Sequence, residues 1–203
     1  MLIIILYICI FTDKQQIPES IIDHYLKNVS VRERKHPNWP NIFVFDTKFY
    51  PLLKESTQAR DRNVEDLTSF DLVLIPVLTI NSSQWILVGI YIRKRIICLY
   101  HVKQLDEKEK MEIGEHLQSY LKNMSKSNDS SRNYETFTIM DTDNICKDRS
   151  QDYSDVDSGV FVCVGAEILS RDSNEKYEQK DVTYYRHRMM YEIMVKKFVS
   201  SDF

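Results

Sequence analysis

FDLVLIPVL (Phe70–Leu78), WILVGIYI (Trp85–Ile92) and RIICLY (Arg95–Tyr100) follow one another with few polar residues between them. Each run is short, rich in β-branched residues and bounded by polar positions, which predicts strands rather than helices. None alternates apolar with polar, so the strands are expected to be apolar on both faces and covered on both sides. Pro76 interrupts the first run and is expected to mark a bulge or a strand end. Arg93-Lys94 reads as a two-residue hairpin turn without the usual Asn-Gly chemistry.

Working outward, Pro18 to Leu26 has a proline suited to a first helical turn, Glu19 at the positive end of the dipole, and Ile21, Ile22, Tyr25 and Leu26 on one face. Ile42–Phe45 reads as a strand, and Phe49–Leu53 as a helix or turn. Asp106–Met124 has the spacing of a long amphipathic helix. Ser125–Asn133 is a polar loop, and Thr136–Met140 a further strand. Gly159–Leu169 opens after Asp157-Ser158 as a helix with an acidic start, and Tyr184–Val199 closes the chain as another. This order of elements gives an α+β class with a central mixed sheet flanked by helices.

The chain has 203 residues, 43% hydrophobic and 28% charged, with only four Gly and five Pro, which suits one globular domain. A net charge of −3 argues against a general nucleic-acid binder. The basic stretches Arg93–Arg95 and Arg186–Arg188 read as a solvated face or a protein-binding rim. The cysteines Cys9, Cys98, Cys146 and Cys163 form no CxxC pair, and no His/Cys cluster has zinc spacing, so neither metal nor cofactor is expected. The apolar runs around Cys9, Cys98 and Cys163 fit small buried hydrophobes, and the cysteine usage as a whole fits a reducing compartment, nucleus or cytoplasm. Met1–Phe11 is almost wholly apolar yet too short to span a bilayer. Residues 1–15 read as an apolar strand or extension, with a membrane or signal role as the alternative, and 16–203 as the domain proper.

Three stretches, in order, resemble the ubiquitin-like-protein-specific (SUMO or sentrin) cysteine protease family. Phe45-Asp46-Thr47-Lys48-Phe49-Tyr50-Pro51-Leu52-Leu53 is similar to its F-x-T-x-F-Y-x-x-L segment. Asp71–Val77, Ser83–Leu87 and Ile96–His101 are similar to D-x-x-x-I-P-I … H-W-x-L … I-x-x-Y-D. Gln151–Cys163 (QDYSDVDSGVFVC) is similar to P-Q-Q-x-N-x-x-D-C-G-V-F-V-C. The resemblance implies a papain-like fold and, for an active member, a cysteine thiolate, a histidine, an aspartate that orients it and a glutamine for the oxyanion.

At these positions the sequence carries other chemistry. Gln84 stands for the histidine before Trp85, His101 for the aspartate, Ser158 for the nucleophile and Asp152 for the oxyanion glutamine, with Gln151 one step away. An amide does not take up a proton near pH 7, and a hydroxyl without an adjacent base is a poor nucleophile. The resemblance further implies that Trp85, Gln151 and Gly159 contact substrate, Gly159 also serving the turn into the helix, and that a second tryptophan of the family falls on Gln16. The expectation is a pseudoprotease that binds a SUMO-type modifier, its conjugates or another protein. The alternatives are an active divergent peptidase, in which Ser158 and His101 are served by Asp152, Asp155 or Asp157, and a decayed gene product.

Overall fold

The computed structural model describes residues 15–32, 36–55, 67–81, 83–127, 136–142, 154–195 and 197–198. The apolar run 1–11, Cys9, Cys146, Gln151 and Asp152 lie outside these residues.

The elements are α1 (Glu19–Val31), β1 (Ile42–Val44), α2 (Phe49–Glu55), β2 (Leu72–Leu78), β3 (Trp85–Tyr91), β4 (Ile96–Tyr100), α3 (Glu107–Ser127), β5 (Thr138–Thr142), α4 (Ser158–Leu169) and α5 (Val182–Val195). Short 3₁₀ turns cover Leu67–Ser69, Asp155–Asp157 and Gln179–Asp181. The strands form one sheet in the order β1-β2-β3-β4-β5, parallel at both outer pairs and antiparallel between β2, β3 and β4. The α+β class and the mixed sheet read from the sequence are those the chain adopts. Among the described residues no helix is long and apolar enough to cross a membrane.

Side chains of the three central strands alternate between two cores, as the period of two requires. Leu72, Leu74, Leu87 and Tyr100 join α1, α4 and α5 on one face; Val73, Ile75, Val88 and Leu99 join α2 and α3 on the other. Both faces are covered, which is why no run alternates.

Two local expectations are corrected. Pro76 makes no bulge: the β2–β3 register runs unbroken from Leu72↔Tyr91 to Leu78↔Trp85, with Pro76 opposite Leu87. The Phe45 N–H donates to the Leu74 carbonyl at 2.9 Å, so even-numbered residues of β2 turn their backbone groups toward β1. Because β1 stops at Val44, the N–H that proline lacks would have pointed past the end of that strand. The β3–β4 connection spans Ile92–Arg95 rather than two residues, since Tyr91 pairs with Ile96. Arg95 takes φ 56°, supplying the left-handed residue that closes the longer loop. Helix and strand limits otherwise shift by up to five residues, the most at the C-terminal end of α1, which runs on from Leu26 to Val31.

Candidate functional site

Gln84 and Trp85 open β3, His101 follows β4, and the pairing Leu87↔Tyr100 sets these strand ends side by side. Ser158 begins α4, the helix that packs on β3. The fold therefore gathers Gln84, Trp85, His101 and Ser158 at one end of the sheet, and all four are at most 2% exposed.

Ser158 is held by backbone on both sides. Its Oγ accepts the Trp85 N–H at 3.0 Å and donates to the Asp155 carbonyl at 2.6 Å. The hydroxyl proton is thus spent on a carbonyl oxygen, which cannot act as a base. Gln84 closes the β2–β3 turn through Thr79: its N–H donates to Thr79 Oγ1 (3.2 Å), and its carbonyl accepts the Thr79 hydroxyl and N–H (both 2.9 Å).

His101 is fully buried, with an acceptor at each ring nitrogen. Nδ1 lies 2.6 Å from the Lys103 carbonyl, and Nε2 meets Asp141 Oδ1 on β5. Each ring nitrogen therefore faces an oxygen of the fold, and neither is turned to the Ser158 hydroxyl. The ring is tied toward β5, whereas Ser158 is anchored toward β3, with β4 between them. Asp141 in turn meets Lys110 Nζ at 2.5 Å, and Lys110 also pairs with Glu107 at 2.8 Å. Burial pushes the Asp141 carboxyl up, but the bonds from Lys110 and His101 outweigh it and hold the group below its ordinary value. At Gly114, one turn beyond Lys110, an added Cβ would run into Ile139 of β5, so the glycine permits the approach of α3 that delivers Lys110.

The acids considered as orienters for His101 serve other partners. Asp155 Oδ1 pairs with Lys103 Nζ at 2.7 Å. Asp157 caps α4 by position, but its carboxylate takes Arg186 at 2.6 and 3.1 Å and Gln179 at 2.9 Å. Arg186 is 1% exposed, which corrects the reading of that basic stretch as a solvated face. Its guanidinium reaches inward to clamp the turn that delivers Ser158.

Gly159 has no left-handed backbone, so a sharp turn does not explain it. A Cβ there would meet Ile22 Cδ1 at 3.3 Å, Ile17 Cβ at 3.4 Å and Trp85 Cδ1 at 3.7 Å. The glycine lets α4 seat closely over Trp85, which is a core residue. Gln16 is exposed. Cys98 and Cys163 are free, buried thiols. Burial and then the Asp23 charge push Cys163 up, and burial pushes Cys98 up against its Tyr100 hydrogen bond, so neither is an activated nucleophile.

Sequence reasoning missed Asp141, Lys103 and the inward role of Arg186. Asp141 falls just beyond the strand read at Thr136–Met140, among polar residues that do not single it out, and its partner depends on a parallel register that the sequence alone does not specify.

The profile of the Ulp1 protease family, C-terminal catalytic domain, matches residues 15–198, nearly the whole chain. The chain belongs to this family. Human Sentrin-specific protease 2 is 30% identical over 179 residues, 87% of this chain and 29% of that protein. The Caenorhabditis elegans Sentrin-specific protease is 29% identical over 187 residues, 90% of this chain and 26% of that protein. This Ulp1-family chain thus spans under a third of the length of the relatives it matches. The C-terminal Ulp1 protease domain in complex with Smt3, the yeast orthologue of SUMO, has a TM-score of 0.73 at 21% identity, over 92% of this chain and 80% of that one. The Chaetomium thermophilum Ulp1-like SUMO protease catalytic domain has a TM-score of 0.63 at 17% identity, over 91% and 74%. At these identities the structures speak for the Ulp1 fold.

Proposed function

We propose that this Ulp1-family domain is a pseudoprotease that binds a SUMO-type modifier, alone or in its conjugates, without cleaving it. The observation that carries the reading is the disposition of hydrogen bonds at the site. Ser158, at the position we assign to the family's nucleophile, gives its proton to the Asp155 carbonyl, while His101 is fixed between the Lys103 carbonyl and Asp141. Gln84, at the position assigned to the family's histidine, is an amide and no base. Triad members act as a unit, so the loss of several leaves little of the acceleration. A related structure is that of the SUMO protease Ulp1 with its catalytic cysteine oxidised to a sulfonic acid; no cysteine of this chain occupies the start of α4.

Binding is the function the preserved scaffold supports. The mixed sheet, the close seat of α4 at Gly159 and the buried Trp85 are kept, and the neighbouring Ulp1 domain is seen in complex with Smt3. On this reading Trp85, Gln151 and Gly159 shape the groove for the modifier's tail, in the nucleus or the cytoplasm. The test is calorimetric titration of the domain with SUMO-type modifiers and with ubiquitin. Saturable binding of a SUMO-type protein, weakened by truncating its C-terminal tail, is expected; absence of saturable binding to any modifier would remove the proposal.

A further inference from the structure

Next to the β2–β3 turn, on the α3 side of the sheet, a pocket of about 150 Å³ lies between Tyr50, Val77, Leu78, Ile80, Glu109 and Ile113. Glu109, in the first turn of α3, is 8% exposed. Its Oε1 accepts the Ile80 N–H at 2.7 Å and, weakly, the Asn81 N–H at 3.5 Å. Among the described residues its buried Oε2 has no hydrogen-bond donor. A carboxylate oxygen kept from water without a donor is costly, and a charged donor brought to it is worth more than a neutral one.

The two lysines at the pocket leave this oxygen unserved. Lys54 pairs with Glu112 at 2.5 Å, and Lys108 is exposed; among the described residues neither forms an ion pair with Glu109. Tyr50 Oη already shares a 3.2 Å contact with His116 Nδ1, and burial followed by the charges of Glu112 and Glu109 pushes its phenol well above the ordinary range. The volume equals roughly five waters at about 30 Å³ each, the size of a four-carbon chain ending in one nitrogen. Val77, Leu78, Ile80 and Ile113 give that chain apolar walls, and Leu78 and Ile80 are exposed at the rim.

We propose that this pocket takes the side-chain ammonium of a lysine from a partner protein, held by Glu109 Oε2 at its inner end. The carboxylate keeps the Ile80 N–H on one oxygen and receives the ammonium on the other, so the β2–β3 turn that leads into Gln84 is retained. The assignment goes beyond modifier binding and holds whether or not the chain cleaves anything.

The test titrates the folded chain with n-butylammonium chloride and follows the backbone amide resonances of Ile80 and Asn81, with butan-1-ol as the uncharged comparison. Saturable shifts at both amides with the ammonium are expected, with binding weaker by at least roughly tenfold for the alcohol. Glu109→Gln retains an oxygen for Ile80 but loses the charge, and should weaken the ammonium by at least about tenfold. Leu78→Trp leaves Glu109 untouched, fills the pocket from its rim and should abolish the shifts. No saturable shift in the wild type, equal binding of the alcohol, or a folded Glu109→Gln within about twofold of the wild type would overturn the proposal.

Discussion

Ser158 and His101 spend their polar side-chain atoms on groups that do no chemistry, a backbone carbonyl for the first and the Lys103 carbonyl and Asp141 for the second, while the Gln84 backbone is bound to a threonine in a turn. With no activated thiol among the described residues, native alkylation at pH 7.5 is expected to leave Cys98 and Cys163 unlabelled, and both should react once the chain is unfolded. Mass mapping after iodoacetamide checks this; rapid native labelling of Cys163 would reveal a reactive thiol in what is described as core. Gly159→Ala sets a methyl 3.3–3.4 Å from Ile22 and Ile17, and should cost about 1 kcal/mol in a denaturant titration, the low end of overpacking. At this scale the sequence was legible where side-chain chemistry decides. Gln84, His101 and Ser158 were picked out by type and position, and the fold brings them together. Asp141 and Lys103 were not, because their roles come from neighbouring strands and loops rather than from their own identity. Gly159 was misread because backbone conformation and close packing both call for glycine, and only coordinates separate them.

At the scale of elements, α4 is fixed at both ends by charge. At its start Asp157 takes the buried guanidinium of Arg186 from α5. Arg186→Met should lower stability by about 3 kcal/mol, measured by urea unfolding, because it strands a buried carboxylate. At its far end Glu167 meets Arg32 at 2.7 Å, Arg171 at 2.8 Å and Arg188 at 3.7 Å, joining α4 to the end of α1 and to α5. Burial pushes the Glu167 carboxyl up, but Arg171, Arg188 and Arg32 outweigh it and hold it below its ordinary value. Its stabilisation is therefore complete above the unfolded value of about 4.3 and is lost as pH falls through the lower folded value. Urea midpoints taken from pH 7 to pH 3 should fall in the wild type below about pH 4.3. Glu167→Gln should start lower and fall less steeply; parallel curves would contradict this. The elements themselves were legible, since apolar runs and helical spacing report burial directly. Pro76 and the β3–β4 loop were not, because each depends on where the adjoining strand stops or pairs. Arg186 read as a rim residue because a basic triplet looks the same on paper whether it faces water or a buried acid.

For the whole molecule, family membership and fold stand together: the Ulp1 profile spans residues 15–198, and the mixed sheet with helices on both faces follows the Ulp1 domain. That much was readable from three motifs in order, because the residues that shape the fold are kept. Activity is a separate matter, set by a few proton positions on that scaffold. The most direct measurement is hydrolysis of C-terminally fluorogenic SUMO-type proteins and ubiquitin by the wild-type chain. It would run beside a variant carrying Gln84→His, His101→Asp, Asp152→Gln and Ser158→Cys. The account predicts no turnover above background for the wild type, and cleavage of a SUMO-type substrate by the restored variant. Cleavage by the wild type, lost on Ser158→Ala, would contradict it and show that Ser158 and His101 rearrange into a working pair.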